Sequence, residues 1–418
     1  MANRTIVREM HKKQLSIHIK IGMKKITLYI FLFSYSLSNA QWTQQILNEP
    51  MGLFLDLYAF DSNTICAVGQ FVKAYKTTDG GNNWTNYGPS GSTDWFQNVD
   101  FTDSNTGYAC TLNGSIFKTT NGGLSWSQAG TGYNPLYSLS FINSSTGYAV
   151  GLTGGLLKTT NAGLTWNYAL NISNEQLLQI YFYNATTGYI VGNNGVIYRT
   201  TNGGLNWTSQ TSNTTSSLAT VHFADQNTGW CVGSSGTIVK TTNGGLNWII
   251  QNSTTTQDLL GLYAINANVA YAVGASGKIV YTTNGGLNWN SQISNTNSNL
   301  LEIKFIGNTI GYIVGQNGTI LKTTNAGLSV NENSFLLKKT ITYPNPFKSS
   351  FTIKIDNYET LSNATLTIYD LLGNKVDEMT ELNQNEISIE RKNLSSGIYL
   401  YLIKEKGITI SKGKIIAE

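Results

Sequence analysis

The sequence predicts an all-β chain, built as a seven-bladed β-propeller followed by a small β-sandwich. Three observations carry this. The nine-residue phrase KTTNGGLNW, at 240–248, returns in close copies beginning at 76, 118, 158, 199, 281 and 322, at intervals of 40 to 42 residues. A period near 41 marks a propeller or a solenoid. Each unit holds four short runs rich in Ile, Val, Tyr and Thr, such as LQIYF, TTGYIVG, GVIYRTT and LNWTSQ within 178–210. Gly and Asn clusters punctuate the runs, and none has the 3.6-residue period of a helix. After Val330 the pattern stops and a more charged segment begins. Four antiparallel strands per repeat, seven times over, is a propeller.

The N-terminus carries a different message. Residues 1–40 hold seven Lys or Arg and one acid, against 20 basic and 22 acidic residues in the remainder. No basic tract remains after the leader, which argues against nucleic-acid binding by phosphate neutralisation. Met23-Lys24-Lys25 precedes the apolar run ITLYIFLFSYSL (26–37), and Ser38-Asn39-Ala40 places small residues before Gln41. This is the pattern of a secretory signal peptide, with cleavage expected between Ala40 and Gln41. The run falls short of the roughly 20 residues a spanning helix needs, so the mature protein is not expected to span the membrane. Residues 1–22 read as an upstream extension, with Met1 or Met23 as the start. Only 12% of the chain is charged, a composition common in extracellular β-rich proteins. Cys66, Cys110 and Cys231 each lie in an apolar strand and read as small buried hydrophobes, with a Cys66–Cys110 bridge as the alternative.

The repeats suggest how the ring closes. Each phrase ends in Trp (84, 126, 166, 207, 248, 289) except the seventh, which ends in Val330. Trp42 supplies the missing one: QWTQ (41–44) matches the outer-strand sequence NWTSQ and stands 42 residues before Trp84. The mature N-terminus is therefore expected to form the outer strand of the last blade, leaving no open edge at the seam. This sets the propeller at 41–330 and a linker at 331–342.

The phrase has its own turn chemistry. TTDGGNNW (77–84) has the order Thr-x-Asp-x-Gly-x-x-Trp, with Asn for Asp in the other six copies. Asp or Asn bonds its own backbone and Gly takes positive φ, which folds the hairpin between the third and fourth strands. The Trp is expected to cover the blade's outer edge. Seven metal sites are the weaker reading, because most copies lack a carboxylate. The order resembles the Asp-box of BNR-type propellers. The whole unit, GYxVGxxGxIxKTTNGGxxW, resembles the Ycf48/Hcf136-type propellers over 41–330. Those are known as photosystem II assembly factors whose role is linked to an arginine-rich surface; this propeller has one arginine, Arg199.

The segment after the linker, 343–418, alternates in runs such as ATLTIYD and GIYLYLIK, with LLGNKV as a hairpin turn. A small Ig-like β-sandwich is the natural architecture. Tyr343-Pro344-Asn345-Pro346-Phe347, LTIYDLLGNKV (366–376), LSSGIYLYLI (394–403) and the basic end at Lys412 and Lys414 resemble the C-terminal sorting domain (type A) of the type IX secretion system. The resemblance implies a Bacteroidota-type bacterium, export across the outer membrane to the medium or cell surface, the secretion machinery as a partner, and removal of the tail by its sortase.

Catalytic motifs are scarce. Beyond the leader there is one histidine, His222, so a multi-His zinc site is excluded and no metal or cofactor is expected. Sialidases of the Asp-box type need three arginines, and this propeller has one. A glycosidase needs two carboxylates facing a sugar; Asp56, Asp94, Asp100, Asp258 and Glu302 lie on or beside innermost strands. Aligned repeats place Tyr58, Asp100, Ser140, Tyr181, His222, Tyr263 and Lys304 at one inner-strand address, a varied set of the kind an asymmetric binding surface needs. The plainer reading is a strand face turned to water in the channel. The linkers opposite the Asp-boxes carry Trp95 and Tyr133, the best exposed aromatic candidates for a glycan or protein ligand, with local loop packing as the alternative. The expected function is that of an exported non-catalytic binding module, with an Asp-box glycoside hydrolase as the alternative.

Overall fold

The computed structural model describes residues 42–47, 52–327, 338–356, 361–370, 374–392, 394–405 and 408–418. The signal peptide, its cleavage point and Val330 lie outside the described residues. Among the described residues, seven four-stranded antiparallel sheets follow one another in sequence. Six are meanders of consecutive strands, starting with blade 1 at Phe54–Ala59, Ile65–Gly69, Ala74–Thr77 and Thr85–Asn86. Blade 7 takes three strands from Leu300–Ile306, Ile310–Gly315 and Ile320–Thr323, and its fourth from Thr43–Gln44 at the other end of the chain. Thr43 pairs with Lys322 and Gln44 with Leu321.

Local chemistry shapes each hairpin. Between the first and second strands an Asx turn recurs: Asp61 Oδ1 accepts the N–H groups of Asn63 (2.7 Å) and Thr64 (2.9 Å), and Asp103 does the same for Asn105 and Thr106. The Asp-box turn is equally regular. Thr241 Oγ1 accepts from Gly245 N at 2.9 Å and donates to Asn243 Oδ1 at 3.0 Å, and Asn243 Oδ1 accepts from Asn247 N at 3.0 Å. Gly245 sits at φ +86, where a side chain would also strike Tyr189.

The remaining residues of the phrase join blades to one another. The Lys that opens it reaches the next blade's Asp-box carbonyl: Lys76 Nζ to Gly122 O at 2.6 Å, Lys118 to Ala162 O at 2.8 Å, Lys240 to Gly285 O at 2.6 Å. Lys322 reaches Gly80 O at 2.5 Å and so spans the seam. These ammonium groups lie 5.0–5.4 Å from the centres of aromatic rings. The Trp does not cover the outer edge, as the sequence reading had it. Trp126 of blade 2 packs in one cluster with Val68 and Ala74 of blade 1 and Phe96 and Phe101 of its own blade. Trp42 packs with Val269 and Tyr271 of blade 6 and Ile303 and Phe305 of blade 7. Blades radiate from an axis, so the gap between them widens outward, and the largest side chain fills it.

The three cysteines are free and buried, without the Cys66–Cys110 bridge. They belong to different inter-blade clusters, and burial pushes the Cys66 thiol up to about 12.

The tail forms a three-stranded sheet of Thr340–Tyr343, Ser350–Ile355 and Glu386–Glu390, and a four-stranded sheet ordered Lys375–Leu382, Ala364–Tyr369, Gly397–Glu405, Ile408–Ala417. Phe351, Ile353 and Ile389 of one sheet and Leu366, Tyr401 and Ile415 of the other share a single core, which makes the pair a sandwich. Asn345 of the Tyr-Pro-Asn-Pro-Phe motif fastens the last strand: its Oδ1 accepts from Ile416 N at 2.8 Å and its Nδ2 donates to Lys414 O at 3.0 Å. Tyr369 pairs with Lys375 across the LLGNKV turn, of which 371–373 lie outside the described residues.

Candidate functional site

The innermost strand of a blade pairs on one side only, so its other edge needs partners for its backbone groups. Side chains of the preceding blade supply many of them. Asp56 Oδ2 accepts from Val99 N at 2.9 Å, Asn98 Oδ1 from Leu139 N at 2.9 Å, and Gln179 Oε1 from Val221 N at 2.7 Å. Two residues further along, Asp100 Oδ2 accepts from Phe141 N at 2.8 Å and His222 Nδ1 from Ala264 N at 3.2 Å. The hydroxyls of Tyr58 and Tyr181 donate to Phe101 O and Phe223 O at 3.4 and 3.5 Å. At the address singled out in the sequence, Tyr58, Asp100, Tyr181 and His222 thus each bond the backbone of the next blade's inner strand.

The ring has two unlike sides. Across blades 4 to 7 runs an aromatic wall: Tyr181 and His222 have ring centres 5.2 Å apart, His222 and Tyr263 4.4 Å, Tyr263 and Phe305 5.7 Å. Across blades 7, 1 and 2 the ring is charged. Lys304 Nζ lies 3.2 Å from Glu302 Oε1, which also accepts from Ile303 N at 3.0 Å. Asp56 Oδ1 accepts from Leu57 N at 2.8 Å, and its Oδ2 takes Asn98 Nδ2 at 2.5 Å. Burial raises the Asp56 carboxyl to about 7; Lys304 opposes this and Glu302 adds to it. Burial raises Asp100 to about 6 against the pull of its two backbone N–H bonds. Burial alone would lower the Lys304 ammonium, yet Glu302 and Asp56 hold it above its ordinary value.

His222 is held neutral, its pKa lowered to about 3 by burial and then by Lys304. With Nδ1 accepting from Ala264, the proton of the neutral ring is assigned to Nε2. The unfolded residue titrates near 6.5, so between these values the folded state binds fewer protons and stability falls with acidification. Asp56 and Asp100, raised in the fold, act in the opposite sense. Going from pH 7 to pH 5, the wild type is expected to lose about 1–2 kcal/mol more than His222→Gln, read from urea unfolding. Equal losses would exclude the effect.

Trp95 and Tyr133 are not ring residues. Trp95 is half-buried in the linker before the inner strand Phe96–Phe101, its backbone bridged to Gln70 and its carbonyl accepting from Leu112 N at 3.1 Å. Tyr133, expected to be exposed, is half-buried: its ring packs against the cluster of Trp166 and Phe141, and its hydroxyl donates to Trp166 O at 3.3 Å. Asp94 and Asp258 cap turns, accepting from Asn113 N at 3.1 Å and Ser235 N at 2.8 Å. The linker after blade 5 and the turn at Ser276 and Lys278 of blade 6 border a shallow polar cleft of about 610 Å³ lined by Asn252, Thr254, Gln257 and Lys278. Sequence reasoning missed Asn98 and Gln179; the signal was available, as amide or acid side chains at one repeat address with Asp56 and Glu302.

A BNR-type propeller with a secretion tail is the class that this fold and these turns define. The comparisons agree. The model described as "Photosynthesis system II assembly factor YCF48" matches residues 89–215 and 249–324. The model described as "Secretion system C-terminal sorting domain" matches 341–418. The chain is thus a Ycf48-like propeller carrying a type IX sorting domain, which directs it to secretion or to attachment at the cell surface. YCF48 from Cyanidioschyzon merolae superposes with TM-score 0.58 at 19% identity, covering 68% of this chain and 98% of that one. YCF48 bound to a D1 peptide gives TM-score 0.59 at 20% identity over 68% and 97%. The GH74 enzyme of Niastella koreensis gives TM-score 0.58 at 14% identity over 90% and 74%. At these identities the likeness concerns fold alone. An endo-acting ulvan lyase of Formosa agariphila is 33% identical over 90 residues, 21% of this chain; the chain spans about a sixth of that curated relative, 17%. No helix among the described residues is long and apolar enough to cross a membrane.

Proposed function

We propose that the exported propeller is a non-catalytic binding module that holds a glycan or a protein segment. The observation that carries this reading is the commitment of the inner-strand acids. Asp56, Asp100 and Glu302 each accept backbone N–H bonds, and Asp94 and Asp258 cap turns. Carboxylates spent on holding strands are poorly placed to work on a substrate. Variation is concentrated instead in the aromatic wall Tyr181–His222–Tyr263, at Tyr58 and Lys304, and in the linkers around Trp95. Trp95 is the one tryptophan outside the blade ends and the blade 5 strand Gly229–Gly233. A neighbour of the same fold, YCF48, holds a D1 peptide, which supports a peptide-sized ligand here.

A carbohydrate-active hydrolase is the second reading, favoured by one feature. Asp56, raised to about 7 beside Glu302, has the protonation range of a general acid at neutral pH. One experiment separates the two. The purified mature chain is applied to glycan and peptide arrays, with Trp95→Ala and Asp56→Asn in parallel. Retention without turnover, weakened about tenfold or more by Trp95→Ala, supports the binder. Cleavage of a retained polysaccharide that Asp56→Asn abolishes would establish the enzyme instead.

A further inference from the structure

The sandwich buries one face of its four-stranded sheet and leaves the other in solvent. Along Gly397–Glu405, Tyr399, Tyr401 and Ile403 are buried, so Ile398, Leu400 and Leu402 point outward. The register Ile398↔Ile416, Leu400↔Lys414 and Leu402↔Lys412 places residues of the last strand beside them on that face. Tyr369 continues the apolar strip on the other side, opposite Leu400. Ile398 is 40% and Leu400 46% exposed, and Lys412 and Lys414 are exposed next to them. The ion pairs of the described tail are Lys348–Glu418, Lys354–Glu386, Lys375–Glu378 and Lys392–Asp377, so neither Lys412 nor Lys414 has a carboxylate partner there. The outer face of the other sheet differs. Its groups satisfy one another: Lys354 pairs with Glu386 at 3.4 Å, Thr352 with Ser388 at 3.1 Å, and the Tyr343 hydroxyl donates to Glu386.

We propose that the Ile398–Leu400–Ile416 strip with Lys412 and Lys414 is the face by which a protein of the export machinery holds the tail, and that this partner offers an apolar strip bordered by carboxylates. The inference rests on the sorting role of the tail and assigns that role to one face. Charge decides the occupant. A second copy docking through the same face would set one lysine-bearing surface against another, whereas carboxylates on a partner would neutralise both lysines and steer the encounter.

The test uses the full chain in a bacterium with a type IX system. Lys412→Glu with Lys414→Glu, and separately Leu400→Ser, are expected to lower the amount reaching the medium by about tenfold. Thermal midpoints equal to that of the wild type would show that the sandwich is intact, and Thr352→Glu on the opposite sheet is expected to export normally. Wild-type export of the lysine and leucine variants, with a chain lacking 338–418 retained in the cell, overturns the docking face and leaves the sorting role standing. Release of that truncated chain overturns the sorting role itself. If the lysine variant loses binding to phosphatidylglycerol vesicles while export is unchanged, the face serves lipid and the proposal is overturned.

Discussion

Replacing Trp42 with Ala is expected to destabilise the propeller by about 3–5 kcal/mol, the usual loss for a large aromatic removed from a packed core. Trp42 is 1% exposed, meets Phe305 edge-on at 5.9 Å and donates from Nε1 to Gln292 Oε1 at 2.8 Å. The strand behind it, Thr43–Gln44, has only two residues, so backbone pairing alone is a weak clasp for the ring. The comparator is Trp248→Ala, equally buried at 1% but within a blade whose strands are consecutive in the chain. Both variants should lower the urea midpoint. Trp42→Ala alone should also release residues 42–47 to early proteolysis, followed by cooperative loss of blade 7. A loss under about 1 kcal/mol, with 42–47 still protected, would mean that Trp42 does not hold the seam.

Deleting 338–418 is expected to abolish export while leaving the propeller folded. Among the described residues, the sandwich core draws on residues from Phe347 to Ala417, and no propeller cluster contains a tail residue. Removing the tail therefore takes away an address and leaves the propeller's packing alone. Immunoblots of medium and cell fractions read the first effect, and the thermal midpoint of the purified propeller reads the second. Wild-type amounts of truncated protein in the medium would contradict a sorting role.

Residues that repeat were legible because repetition averages out local ambiguity. Seven copies of Thr-x-Asn/Asp-x-Gly identify a turn that one copy would only suggest, and the Trp missing at Val330 points to Trp42 as its replacement. Residues that differ between repeats were legible only as a set. The alignment placed Tyr58, Asp100, Tyr181, His222, Tyr263 and Lys304 at one address, but it could not show what each one touches. His222 and Asp100 turned out to serve a neighbour's backbone. Tyr133, chosen as an exposed aromatic, lies against Trp166.

The sequence by itself determined the strand count, the turn chemistry, the closing segment and the secretion tail. Each is written in local order and in a period, which survive without knowledge of distance. The tertiary structure decided which way the Trp rings face, that Lys76, Lys118, Lys240 and Lys322 of the phrase grip the next blade, and that Asp56, Glu302 and Lys304 share one corner. Those facts depend on contacts between residues about 40 or about 250 positions apart, and the ring alone brings such residues together.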